Sequence, residues 1–235
     1  MTLAQMQTRV SERLAEGGTG PVYYPAAEII GALNEADRLF VLLTLGLERT
    51  TTWTVTAATT FFHMLTVFSD WIVPLRIRTA TGAKVRPVRL EDLTSLDPGW
   101  IARAGAPTRY AALGADLLAI YPQPAAGATL TVTYARGPVT MVSAADVPET
   151  PAEYHPQYVD YGVNRLRQVE GGQEFQKSLP GLGSFMEGAG RYATYVRARN
   201  LGGRYDKVPF ELELFDRSAM LGLRKDVVPA RKAGG

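Results

Sequence analysis

The stretch that decides the fold runs from Pro107 to Pro138 and reads Pro-Thr-Arg-Tyr-Ala-Ala-Leu-Gly-Ala-Asp-Leu-Leu-Ala-Ile-Tyr-Pro-Gln-Pro-Ala-Ala-Gly-Ala-Thr-Leu-Thr-Val-Thr-Tyr-Ala-Arg-Gly-Pro. Short apolar runs alternate with proline and glycine, which is typical of short β-strands joined by turns. Leu130, Val132 and Tyr134 alternate with threonines, so one side of this strand should face a core. The stretch offers no nucleophile, metal-ligand set or phosphate loop. It predicts an architectural β-module rather than a catalytic one.

The β pattern extends from this stretch towards the N-terminus. At Thr50 the sequence becomes rich in β-branched residues, and Trp53 and Val55 alternate with threonines as a half-buried strand requires. Asp97-Pro98-Gly99 is typical of a turn, because proline fixes one central dihedral angle and glycine permits the next. Several short strands at this spacing predict a small sandwich or barrel. The strands are predicted over residues 50–60, 61–67, 72–79 and 85–90, with a hairpin turn at Thr81-Gly82-Ala83.

Helical periodicity flanks the β-region on both sides. Thr2 and Gln5 form a capping box, and Pro25 suits the first position of a second helix. The apolar stripe from Ile29 to Leu47 then needs a partner to bury it. Apolar spacing returns after the β-region, where Gly181–Ser184 is interpreted as a flexible turn before a last helix. The helical faces here are Tyr154 to Val169 and, from about Ser184 to Arg199, the stripe Phe185, Ala189, Tyr192 and Val196.

These patterns together predict an α+β protein. We expect a helical bundle with an inserted antiparallel β-sandwich or barrel domain and an extended C-terminal arm. The boundaries place an N-terminal helical hairpin at residues 1–49, the β-domain at 50–148, C-terminal helices at 149–199 and the arm at 200–235. A chain of 235 residues can bury a substantial core, and 46% hydrophobic with 20% charged residues is ordinary for a globular protein.

Composition also limits the compartment and the chemistry. The chain has no cysteine, which excludes disulfides and thiolate nucleophiles. Its start lacks the pattern of a signal peptide, and its most apolar helix, around Leu39 to Leu47, is too short to span a bilayer. We therefore expect a soluble protein made in the cytoplasm, with no membrane partner.

Candidate catalytic and metal-binding residues are sparse. His63 and His155 have no second histidine or carboxylate at ligand spacing, so both are interpreted as surface or interface residues. Gly181–Ser184 lacks the third glycine of a dinucleotide loop and the later glycine of a nucleophile elbow. A glycosidase needs a pair of carboxylates as acid and base. The candidates in loop-like segments are Asp70, Asp97, Glu91 and Asp92. No enzyme activity, cofactor or metal is predicted.

A basic stretch near the C-terminus is the one charge feature that suggests a partner. Basic residues interleaved with tyrosines are compatible with contact to a phosphate backbone. The alternative is a solvated helix face and a charged tail that docks on an acidic partner. The net charge of +2 is too small for nucleic-acid binding by the whole surface. The candidate contact residues are Arg191, Arg197, Arg199 and Arg204.

Several motifs, taken in order along the chain, carry a family resemblance. They are Tyr-Pro-x-x-Glu-Ile-Ile at Tyr24 to Ile30, Leu-Asn-Glu-Ala-Asp-Arg-Leu-Phe at Leu33 to Phe40, Gly-Ala-Pro-Thr-Arg-Tyr at Gly105 to Tyr110, Ile-Tyr-Pro-Gln-Pro at Ile120 to Pro124, Val-Thr-Tyr at Val132 to Tyr134 and Pro-Glu-Thr-Pro-Ala-Glu-Tyr-His at Pro148 to His155. From about Thr2 to Arg199 the chain resembles the head-to-tail adaptor, or connector, proteins of tailed bacteriophages.

The resemblance implies a structural virion protein at the head–tail junction, made in the host cytoplasm. Identical subunits would form a ring, typically twelve-fold, beneath the portal protein and around the channel through which double-stranded DNA passes. A tail or nozzle protein would bind below, through the β-domain loops. The C-terminal arm would dock on the portal through the apolar anchors Phe210, Leu212, Leu214 and Phe215, with Arg224 and Lys225 nearby.

Two other functions stay open at this stage. A carbohydrate-binding or glycoside-cleaving tail protein would need Trp53, Trp71 and Trp100 exposed together, although their apolar neighbours favour core positions. Another tail-tube or head-completion structural protein would share the architectural character of the sequence.

Overall fold

The computed structural model describes residues 1–14, 23–124 and 127–200 and divides the chain into two compact units. One unit combines Met1–Thr44 with the chain from Met141 onward, and the other is Leu45–Thr140. The helices are α1 Leu3–Arg13, α2 Ala26–Thr44, α3 Met64–Val67, α4 Leu90–Leu96, α5 His155–Glu170 and α6 Gly172–Asn200. The strands are β1 Glu48–Thr54, β2 Phe61–His63, β3 Trp71–Thr79, β4 Lys84–Pro87, β5 Ala104–Gly105, β6 Arg109–Leu113, β7 Leu117–Tyr121, β8 Gln123–Pro124 and β9 Thr129–Arg136.

The helical unit packs α1, α2, α5 and α6 around one aromatic core. The capping box at Thr2 and Gln5 is present and begins α1, as predicted. Phe40 of α2 lies at the centre, with its ring centroid 5.3 Å from that of Tyr158 and 5.9 Å from that of Phe185. Most residues of the predicted stripes are buried here: Ile29, Leu33, Ala36 and Phe40 on α2, and Phe185, Ala189, Tyr192 and Val196 on α6. The first stripe was predicted to reach Leu47, but α2 ends at Thr44 and Leu47 belongs to the β-unit.

Helix α6 is longer than predicted, because it continues through Gly181–Ser184 where a flexible turn was expected. Glycine inside a helix costs up to about 1 kcal/mol relative to alanine, so close packing must compensate. A Cβ atom at Gly181 would lie 3.2 Å from the carbonyl oxygen of Asp160, and one at Gly188 would lie 3.0 Å from Cγ of Gln157. The glycines therefore let α6 approach α5 closely, and that approach sustains the helix.

The β-unit is built on one seven-stranded sheet in the order β1-β9-β3-β4-β6-β7-β2. Its pairings are antiparallel except β4 with β6, which run parallel. Trp53 of β1 and Phe62 of β2 lie on opposite edge strands, yet their ring centroids are 4.8 Å apart. The sheet must therefore curl until its edges approach, as an open half-barrel. The α+β class is confirmed, with this single curled sheet in place of a two-layer sandwich.

Strand β9 carries the predicted alternation of apolar residues and threonines. Leu130, Val132 and Tyr134 are buried in the β core, while the intervening threonines point away from it. Asp70 accepts a hydrogen bond of 2.8 Å from the Tyr134 hydroxyl, which satisfies the one polar atom of that ring. The prediction for this strand is confirmed.

Three predicted strands end earlier than expected. The run at 50–60 is a strand only to Thr54, where β1 ends. The run at 61–67 is a strand only to His63, because Asp116 then caps a helical turn: its carbonyl and carboxylate oxygens accept from the amides of Met64 and Leu65 at 2.8 and 2.5 Å. The run at 85–90 ends as β4 at Pro87, and helix α4 follows at Leu90 with acidic residues in its first turn.

Candidate interaction surfaces

The predicted basic residues of α6 do not form one cluster. Arg191, Arg197 and Arg199 are all exposed. Arg191 and Arg199 are eight positions apart and differ by about 80° around the helix, whereas Arg197 lies about 240° from Arg191. Arg191 already donates a 2.5 Å hydrogen bond to Glu187, one turn earlier. The helix therefore presents basic groups on two sides rather than one anion-binding stripe.

The remaining predicted contact residues lie outside the described residues. They are Arg204, the apolar anchors Phe210, Leu212, Leu214 and Phe215, and the basic pair Arg224 and Lys225. Their roles stay predictions.

A polar cavity of about 340 Å³ lies between the start of α5 and the middle of α6. Glu153, Glu187 and Arg191 contribute charged groups to its wall, and Gln157 lies beneath Gly188. In the described part of the chain, Oε1 of Gln157 is buried without a hydrogen-bond partner. The charged residues could contact polar side chains of another protein, but they include no nucleophile paired with a base.

A buried polar network lies in the core of the helical unit. The Thr150 and Tyr158 hydroxyls are 2.6 Å apart, and Tyr158 also hydrogen-bonds to the carboxylate of Asp37. His155 Nε2 donates to the Thr150 carbonyl at 3.0 Å, because a carbonyl can only accept. Its Nδ1 then accepts from the nitrogen of Met1 at 2.7 Å. The network connects α1, α2 and the start of α5.

Burial perturbs the titration of this network. Desolvation raises the pKa of Asp37 to about 6; the Tyr158 hydrogen bond opposes the rise and the nearby charge of Glu149 adds to it. Desolvation also raises the pKa of Tyr158 far above its usual range. The pKa of His155 is lowered, again chiefly by burial, so this histidine is neutral at pH 7.

The two histidines therefore have different environments. The interpretation of His155 as a surface or interface residue is wrong, because its side chain is almost fully buried and both ring nitrogens bind partners inside the helical unit. His63 does lie at the surface, with Nδ1 3.1 Å from the carboxylate of Asp116. Across the described ranges, no group of three or more histidine, cysteine, aspartate or glutamate side chains is placed to hold a metal ion.

The tryptophans are core residues, as their apolar neighbours predicted. Trp71 packs against both Phe68 and Tyr134, with ring centroids 6.1 and 5.0 Å away. Trp53 and Trp100 are also buried, each against a phenylalanine. A sugar-binding platform needs exposed rings, so the carbohydrate-binding alternative loses the residues on which it depended.

The sequence interpretation missed a strongly basic surface on the β-unit. Arg76 and Arg78 of β3 and Lys84 and Arg86 of β4 are all exposed, and they flank the buried Ile77 and Val85. The signal is present in the sequence as Arg-Ile-Arg and Lys-Val-Arg, in which charge alternates with an apolar residue. Only the pairing of the two strands brings these cations together.

Exposed apolar side chains supply further candidate contacts on each unit. In the β-unit, Phe61 lies on edge strand β2 and Leu65 lies just after it. Ile101 is also exposed, and its carbonyl oxygen accepts a hydrogen bond from the Thr60 hydroxyl. In the helical unit, Val142 and Val147 are exposed in the segment that leads to α5, Val142 by 79%.

In the described residues, no helix combines the length and apolarity needed to cross a bilayer. A comparison with curated proteins gives no match. A sequence model of one family, described as SU10 adaptor protein, matches residues 1–202, which covers both units and most of the chain. The predicted resemblance to phage adaptors is thereby confirmed, and the chain belongs to the SU10 adaptor protein family.

Proposed function

We propose that this adaptor links capsid to tail in the virion of a tailed phage, as a ring beneath the portal that surrounds the DNA channel. The observation that carries the proposal is the family match over residues 1–202. The role is architectural and non-enzymatic: the protein would hold two larger assemblies in register and leave a passage for double-stranded DNA. A ring of twelve copies is the stoichiometry that we expect.

A closed ring needs head-to-tail contacts, in which different faces of each subunit meet. Two groups of exposed apolar side chains are our candidates for such contacts, because burial against a neighbouring subunit would remove their apolar surface from water. One group is Phe61, Leu65 and Ile101 of the β-unit, and the other is Val142 and Val147 of the helical unit. We propose that neighbouring subunits cover these side chains.

The segment after α6 is the proposed portal-docking arm. Its sequence, Phe-Glu-Leu-Glu-Leu-Phe at residues 210–215, alternates apolar and acidic residues. Many weakly binding copies in one ring can together give firm attachment, because each bound arm raises the effective concentration of the next. The tail protein would then bind through the loops of the β-unit.

Truncation tests the arm. We expect a chain that ends at Leu201 to keep the helical and β cores and to lose attachment to purified portal rings in a co-sedimentation assay. A sharper variant replaces Phe210, Leu212 and Leu214 by serine, and its matched control replaces Glu211 and Glu213 by glutamine. The serine variant should lose attachment and the glutamine control should retain it. Attachment of the truncated chain at the wild-type level would contradict the portal-docking role.

A tail-tube or head-completion protein is the alternative that shares this architecture. The position of the chain in the assembled particle distinguishes the two functions, because only an adaptor lies against the portal.

A further inference from the structure

Four cations form a compact patch on the convex, solvent-facing side of the β-sheet, which we call the basic face. It consists of Arg76 and Arg78 on β3 and Lys84 and Arg86 on β4. Arg78 and Lys84 are direct cross-strand partners, and Arg76 and Arg86 are the next outward residues on the same strands. Neighbouring strands are about 4.8 Å apart, and alternate residues along a strand are about 6.7 Å apart. The backbone positions of the four cations therefore form a rectangle with sides of about these lengths.

The burial pattern fixes which side of the sheet these cations occupy. Ile77 and Val85, the partners that lie between them, are fully buried in the β core. Successive strand residues point to opposite faces, so all four cations point away from that core. On β9, the partners of Arg76 and Arg78 are Thr133 and Thr131, which extend the same face as uncharged hydroxyls.

The charge of the basic face is not neutralised by the described part of the chain. Among residues 1–14, 23–124 and 127–200, none of its four cations makes an ion pair. Three aspartates of the same unit are paired with other cations: Asp70 with Arg49, Asp97 with Arg103 and Asp116 with His63. Like charges directly opposite each other on paired strands destabilise a sheet. An arrangement that opposes stability in this way suits the binding of an anionic partner.

We infer that the basic face is a docking surface for an acidic segment of another protein. Arginine, which supplies three of the four cations, binds carboxylates through two parallel hydrogen bonds. An extended segment with acidic residues at alternate positions would place its carboxylates about 6.7 Å apart, the spacing of Arg76 and Arg78 along β3.

Double-stranded DNA fits this face less well. A duplex carries a charge about every 1.7 Å along its axis, so proteins that follow it present long basic stripes. Here the charge ends at Thr131 and Thr133 on one side, and on the other side only the half-exposed Arg109 continues it. The basic face is therefore short in the direction in which a duplex would run.

Binding of two defined probes to the full-length protein tests this inference. The probes are a fluorescent 20-residue poly-glutamate peptide and a 20-base-pair DNA duplex, each measured by anisotropy at low and high salt. The variant is Arg78→Glu with Arg86→Glu. Each new glutamate then lies across from a remaining cation, Lys84 or Arg76, so the variant should still fold. The matched control is Arg9→Glu with Arg38→Glu, which makes the same change in net charge on exposed positions of α1 and α2.

We expect the basic-face variant to lose at least tenfold in affinity for poly-glutamate and the control to change less than twofold. The thermal unfolding midpoint of the variant should stay equal or rise; if it falls, Arg78→Gln with Arg86→Gln takes its place. Equal losses in variant and control, or no loss in either, would overturn the inference. The inference would also be overturned if the wild-type protein bound the duplex more tightly than poly-glutamate and the variant lost that binding, because the basic face would then be a DNA-binding surface. The assay needs neither ring nor portal, so its outcome is independent of the adaptor proposal.

Discussion

Asp37 is the residue whose environment has the clearest measurable consequence. Its carboxylate is buried in α2, and within the described structure one of its oxygens has no hydrogen-bond partner. Because burial raises its pKa to about 6, the folded protein binds this proton more tightly than the unfolded chain does. Its contribution to the free energy of unfolding is therefore greatest below about pH 4, falls as the pH rises to 6, and is lost above that range.

Replacement of Asp37 by asparagine should remove the free-energy cost of burying an ionised carboxylate. We expect the free energy of unfolding above pH 6 to rise by roughly 2–3 kcal/mol, because the shift of about two pKa units is worth that much. Chemical denaturation of both proteins between pH 4 and 8 gives the difference at each pH. The gain should shrink towards pH 4, where Asp37 is protonated in the wild type.

Glu28→Gln is the matched control, since Glu28 is an exposed carboxylate on the same helix. It should change stability by only a few tenths of a kcal/mol at every pH. An Asp37→Asn protein that is less stable than the wild type at pH 8 would show that the ionised carboxylate is stabilised in place.

The environments of single residues were the hardest features to predict from the sequence. His155 stands beside a proline at a helix start, which reads as a surface position. It is buried because Thr150 and Met1, one close in sequence and one distant, converge on its two ring nitrogens. The local sequence around His155 gives no sign of its contact with Met1, which lies 154 positions away.

Packing of elements in the helical unit depends on Phe40. Its ring contacts Tyr154, which precedes α5, Tyr158 of α5, and Phe185 and Tyr192 of α6. One side chain therefore joins α2 to both C-terminal helices.

Phe40→Ala should lower the free energy of unfolding by about 3–5 kcal/mol, the range found when a buried phenylalanine leaves a cavity. Leu42→Ala provides the comparison, because Leu42 is an exposed apolar residue two positions away on α2. Urea denaturation monitored by circular dichroism measures both. A loss below 1 kcal/mol for Phe40→Ala would mean that the aromatic cluster does not hold the helices together.

Elements with strong periodicity were predictable, and elements set by distant contacts were not. The stripes of α2 and α6 and the alternation of β9 followed from spacing, since each buries one face. The helical turn α3 depends on Asp116, which is more than fifty positions away in sequence. The continuation of α6 through Gly181 depends on the backbone of Asp160. The local sequence specifies neither helical segment, and tertiary contacts decide both.

At the scale of the whole molecule, the sequence indicated helical segments on either side of a β-region. The chain divides into its two compact units at Thr44/Leu45 and Thr140/Met141, whereas the sequence pattern predicted boundaries at 49/50 and 148/149. Composition could not reveal the basic face, because its cations belong to two strands whose register is visible only in the sheet. Assembly surfaces of this kind depend on strand order, which alternation alone does not determine.

Cryo-electron microscopy of the assembled particle is the most direct test of the adaptor role. We predict a closed ring of this chain, with twelve copies, directly against the portal, its C-terminal segments in contact with portal subunits and DNA density along its axis. Density for the chain on fibres, or in the tail tube away from the portal, would contradict the account.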